Sequence, residues 1–100
     1  MITENRASAS GDRFLAALNQ AKEGKTDEAL AELQSLEKDG YGAYPVLAKM
    51  RAATVLNDKG DAAGAVAAFD AVAADGSAPD AIRDMARLRA AYILVDTGSA

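Results

Sequence analysis

AKMRAATVLNDKG (residues 48–60) and ARLRAAYILVDTG (residues 86–98) are two versions of one pattern, and that pattern decides the fold. Ala, Arg, Ala, Ala, Leu, Asp and the closing Gly are identical, while Lys/Arg, Met/Leu and Val/Ile are conservative exchanges. A weaker third version, RFLAALNQAKEG (residues 13–24), keeps the order basic, large apolar, Ala-Ala, and also closes on Gly. Apolar residues three and four apart, with no run of period 2, specify helix rather than strand. The nearest strand candidate, Tyr92-Ile93-Leu94-Val95, lies inside one of these helical copies.

Between the copies lie two shorter segments, GKTDEALAELQSLEKDG (24–40) and GDAAGAVAAFDAVAADG (60–76). Set on one another, they share Ala29/Ala65, Ala31/Ala67 and Asp39/Asp75, and they are apolar at Leu30/Val66, Leu33/Phe69 and Leu36/Val72. Glycines therefore punctuate the chain at 24, 40, 60, 76 and 98, each expected to end a helix in the left-handed conformation that glycine adopts cheaply. The predicted helices run to about residue 23, then over 26–39, 43–59, 62–75 and 79–97. That makes five helices in about two and a half antiparallel pairs, an all-α solenoid with a repeat domain over 12–98. Residues 1–11 are read as a tail or as an N-terminal extension of the first helix, with the extension favoured because Gly11 is the only breaker. Pro45 and Pro79 fall at first turns, where proline is tolerated, and Ser77 or Asp80 is the expected cap of the last helix. The chain stops directly after a helical segment, so a longer protein, truncated here on its C-terminal side, is expected.

Composition agrees with this reading and removes most chemistry. Of the 100 residues 25 are Ala, the best helix former, and Trp is absent. A core so poor in large side chains requires close backbone approach. The net charge of -4 gives no basic footprint for nucleic acid. Cysteine and histidine are both missing, which removes disulfides, thiolate sites, the commonest metal ligand and the commonest general base. No run approaches the roughly 20 apolar residues of a membrane span, and residues 1–10 contain no signal-peptide core. No enzyme, cofactor or metal site is expected from these residues.

The spacing Gly-x4-Ala-x3-Phe, present as Gly60, Ala65 and Phe69 and as Gly24, Ala29 and Leu33, resembles the tetratricopeptide repeat. In that family the Gly ends the first helix of each pair and small residues let the paired helices touch. Ala17, Ala53 and Ala91, seven residues before Gly24, Gly60 and Gly98, fall where the family has its other small residue. The chain departs from the family at its aromatic positions, which hold Arg13, Lys49 and Arg87, and Gln20, Leu56 and Leu94. Its periods of 36 and 38 residues also exceed the usual 34. Taken whole, FLAAL…AKEGKTDEALAEL, YPVLAKMRAATVLNDKGD and AIRDMARLRAAYILVDTG resemble the YfgM-type proteins, ancillary subunits of the bacterial SecYEG translocon. That resemblance implies a periplasmic repeat domain, a membrane anchor outside this stretch, and translocon subunits and periplasmic chaperones as partners.

The candidate site follows from the register. In this repeat class the first helices of successive pairs line a concave groove for peptides or helices. That face should hold Phe14, Leu18 and Lys22, then Leu47, Met50, Thr54 and Asn57, then Met85, Leu88 and Tyr92. The alternative is that several of these pack helix on helix. Lys49, Arg51, Arg87, Arg89 and Arg13 could grip an acidic peptide, or snorkel and pair with neighbouring carboxylates, which is the preferred reading. Lys25, Glu28 and Glu32 are read as a solvated helix face rather than acid–base groups. Asp58 and Asp96 are read as turn residues bonding nearby backbone donors. The last helix lacks a following partner, so its Ile93 and Leu94 face is expected to be bare and to drive self-association, by pairing across a two-fold or by helix exchange. The function expected is a non-catalytic interaction scaffold. The alternatives are a soluble adaptor with another protein partner and the regulatory domain of a larger enzyme.

Overall fold

A computed structural model describes residues 6–98. It contains five helices, α1 (Arg6–Lys22), α2 (Thr26–Asp39), α3 (Tyr44–Asp58), α4 (Ala62–Ala73) and α5 (Asp80–Asp96), with no strand among the described residues. This is the all-α, tetratricopeptide-like class that the repeats predict. The chain divides into two compact units, one up to residue 48 and one from residue 49 onward.

In the first unit α1 and α2 form a hairpin joined by three residues. The joint explains why glycine stands at position 24. Gly24 N–H donates to Ala21 C=O at 3.1 Å and Lys25 N–H donates to Gln20 C=O at 2.8 Å. This paired closure needs a left-handed residue between helix and turn, and Gly24 supplies it at φ +84°. Ala17 of α1 and Ala29, Leu33 and Leu36 of α2 are completely buried, so small residues set the helix spacing and leucines fill the remainder. α1 runs through Gly11 without a break. A Cβ at Gly11 would lie 2.9 Å from the Tyr44 hydroxyl, so the glycine makes room for the start of α3. Beside it the buried Ser10 hydroxyl accepts from Tyr41 N–H at 3.0 Å. The expected helix start near Thr3 lies outside the described residues.

The second unit repeats the joint. Gly60 N–H donates to Asn57 C=O at 3.0 Å and Asp61 N–H to Leu56 C=O at 2.9 Å, with Gly60 at φ +100°. Ala53, Ala65 and Ala86 are completely buried and Phe69, the largest buried side chain, is nearly so. Arg83 and Arg87 of α5 donate to Ala73 C=O at 2.9 and 3.4 Å, placing cations at the C-terminal end of α4, where the helix dipole favours them.

Four expectations need correction. Gly40 and Gly76 are not left-handed; Gly40 is extended, at φ -68° and ψ 155°. The links out of α2 and α4 are longer than those into them, so no single residue has to reverse the chain. Gly40 is required by proximity instead, since a Cβ there would meet Leu36 O at 2.5 Å. Neither Ser77 nor Asp80 caps α5: Pro79 occupies the cap position, and Ser77 bonds Asp75. Ala91 is exposed, unlike Ala17 and Ala53. Ile93 is buried and Leu94 half-buried, so the bare side of α5 is a different one.

Candidate functional site

The residues expected to line a binding face fall in both units. In the first, Phe14, Leu18 and Leu47 are half-buried and Lys22 is exposed. The Phe14 ring packs against Tyr44, with centroids 5.9 Å apart and planes tilted by 55°. This edge-biased geometry favours aromatic pairs, so Phe14 is engaged internally. Leu15, one residue on, is the exposed large apolar residue of α1.

In the second unit the register places three of the expected residues together. Thr54 and Asn57 of α3 and Tyr92 of α5 line a cleft of about 180 Å³ with Phe69, Ile93, Arg89 and Asp96. Phe69 and Ile93 are buried and make its floor apolar; the rest of the lining is polar. The volume suits one side chain of a partner rather than a drug-sized molecule, which needs roughly 300 Å³ or more. Thr54 Oγ1 donates to Met50 C=O within its own helix at 3.2 Å, leaving Asn57, Arg89 and Tyr92 as the donors in the cleft lining. Met50 is buried and cannot line an open groove, a correction to the expected face. Met85 and Leu88 are exposed on α5, outside the cleft lining.

The basic residues separate into two groups. Arg13 is fully engaged: Nε meets Glu32 Oε2 at 3.1 Å, one terminal nitrogen meets Asp39 Oδ1 at 2.7 Å, and the other donates to Ser35 Oγ at 2.8 Å. The hydrogen bonds to Asp39 and then Glu32 raise the guanidinium pKa above its ordinary value. Arg87 meets Asp84 at 2.7 Å as well as Ala73 C=O. Arg51 and Arg89 have no ion pair among the described residues. Only Arg89 faces the cleft, which makes it the basic residue placed to meet a ligand acceptor.

The carboxylates carry structural duties. Glu32 serves Arg13, Lys25 lies 3.5 Å from Glu23, and Glu28 is exposed. No group of metal-ligating side chains occurs among the described residues. Among the described residues the Asp58 and Asp96 side chains accept no backbone N–H, in contrast to the turn role expected of them. The helix-capping carboxylate is Asp61, whose Oδ1 accepts from Gly64 N–H at 2.9 Å. Its signal was readable: an Asp directly before a helical run is a standard N-terminal cap. Asp75 Oδ1 accepts from both the backbone N–H and the hydroxyl of Ser77, at 2.9 and 2.6 Å, and these bonds lower its pKa.

A family model described as a tetratricopeptide repeat-like domain matches residues 1–100. No curated protein and no solved structure shows a significant match to the chain.

Proposed function

The chain belongs to the tetratricopeptide repeat-like domain family, a family of protein-interaction modules, and on that premise we propose that the cleft of the second unit is where it holds a partner. The carrying observation is the gathering of Asn57, Arg89 and Tyr92 around an apolar floor of Phe69 and Ile93. An arrangement with donors at the rim and a desolvated base accepts one apolar anchor side chain while satisfying a neighbouring backbone carbonyl or carboxylate. In this reading the module works by binding, as repeat domains of this family generally do.

The partners proposed are Sec translocon subunits and periplasmic chaperones, with the repeat domain on the outer side of a bacterial inner membrane. The support is the resemblance to YfgM-type proteins over most of the chain. No helix among the described residues is long and apolar enough to cross a membrane, so the anchor in this reading belongs to sequence outside this stretch. A photoreactive residue at Asn57, exposed at the cleft, in the full-length protein in cells tests the assignment. Crosslinks to translocon or chaperone subunits that weaken with Arg89→Glu are expected. Crosslinks absent from those subunits, or indifferent to Arg89→Glu, would remove the proposal.

A further inference from the structure

The side of α5 turned away from its buried face is more apolar than its repeat twin. Met85, Leu88, Tyr92 and Val95 are 43, 52, 61 and 62% exposed, while Ala86, Ala90 and Ile93, on the opposite side of the helix, are buried. The alignment of 48–60 with 86–98, extended back by one residue, gives each a counterpart on α3, with Met85 opposite Leu47. Leu88 corresponds to Met50, which is 8% exposed, so a position that is closed on α3 is open on α5. Tyr92 and Val95 correspond to Thr54 and Asn57. On α3 Thr54 is half-buried and Asn57 exposed; at these two positions α5 carries the exposed Tyr and Val. An exposed helix face that replaces polar residues by apolar ones is built to be covered.

The spacing of the four residues is three, four, three, the a/d seam of a two-stranded coiled coil. With Met85 and Tyr92 at a and Leu88 and Val95 at d, Asp84 takes a g position and Arg89 the following e position. In a parallel pair, g of one helix faces the next e of the other, so Asp84 meets the second copy's Arg89, twice by symmetry. An antiparallel pair that keeps the same four residues in contact instead sets the two Arg89 side chains against each other beside the axis. Arg89 has no ion pair among the described residues, and Asp84, three-quarters exposed beside Arg87, retains free acceptor sites.

From this seam and its charge pattern we infer that two copies of the chain associate through α5 in parallel, across a two-fold axis running along the helix. The buried face of α5 lies opposite the seam, so α4 stays clear of the joint. The seam shares Arg89 and Tyr92 with the cleft, whereas Leu88 lies outside the cleft lining, so Leu88→Lys tests the seam without altering a cleft residue.

The chain contains no cysteine, so single-cysteine variants report orientation without background. Parallel pairing brings each residue near its own copy, so Val95→Cys alone and Met85→Cys alone both form disulfide-linked homodimers on mild oxidation. An antiparallel pair crosslinks only a mixture of the two, and that result would overturn the arrangement. By sedimentation equilibrium the unmodified chain should show a concentration-dependent dimer that Leu88→Lys abolishes while the helical circular dichroism persists. Asp84→Arg and Arg89→Asp should each weaken the dimer about tenfold, and the double reversal should recover it. A monomer at all concentrations, or a dimer indifferent to Leu88→Lys, would refute the seam.

Discussion

Replacing Gly60 and Gly76 separately with Ala isolates one physical cause. At neither site does a Cβ meet any atom within 4 Å, so no clash separates the two substitutions. They differ in backbone: Gly60 sits at φ +100°, whereas Gly76 has no positive φ. Both variants lose unfolded-chain entropy, which stabilises each by roughly 0.4–1 kcal/mol and cancels between them. What remains is the left-handed penalty of an L-residue at position 60, about 1–2 kcal/mol. For a domain of this size 1 kcal/mol moves Tm by about 4–8 °C, so the two variants should melt about 4–16 °C apart, Gly60→Ala lower. Thermal melts followed by circular dichroism at neutral pH measure the gap directly. Melting points within about 2 °C of each other, against the size scaling just used, would refute the claim that the joint after α3 depends on a left-handed residue.

Further outcomes follow from individual side chains. Phe69→Ala removes the largest buried side chain and should cost about 3 kcal/mol, the low end for such a truncation because the adjoining cleft admits water; urea titration would show it as a lower midpoint at unchanged slope. Asp61→Ala deletes the cap of α4 and should cost about 1 kcal/mol, read the same way, while Asp61→Asn should recover most of it. Asp75 has a lowered pKa because Ser77 bonds its ionised form, so its contribution is present above the unfolded value and is lost as pH falls through the folded one. Melting temperatures measured below about pH 4 should therefore fall less steeply for Asp75→Ala than for the unaltered chain.

Much of this architecture is legible in the sequence, and the reasons for what is not are local. The helix-ending glycines at 24 and 60 could be read because a three-residue reversal admits few residues. Gly40 and Gly76 look the same in sequence, yet their links have length to spare, and only coordinates distinguish a crowded glycine from an idle one. The rotation of α5 was hidden because its C-terminal half is apolar nearly all round: Ala90, Ala91, Tyr92, Ile93, Leu94 and Val95 leave no sharp polar edge from which to fix a face. Hence Ile93 was expected outside and lies inside. Of the candidate face, Thr54, Asn57 and Tyr92 could be grouped from repeat register alone. The burial of Met50 could not, because register assigns a position to a side and not the depth to which its neighbours cover it.

Arg13 reaches three acceptors spaced along a single strip of α2. A slip of one residue between the helices would swing that strip by about 100° and carry every acceptor out of reach together. No half-matched hairpin keeps part of the reward. The guanidinium thus acts as a vernier: it adds to the packing of Ala17 against the leucines of α2 a polar test of alignment that is passed or failed all at once.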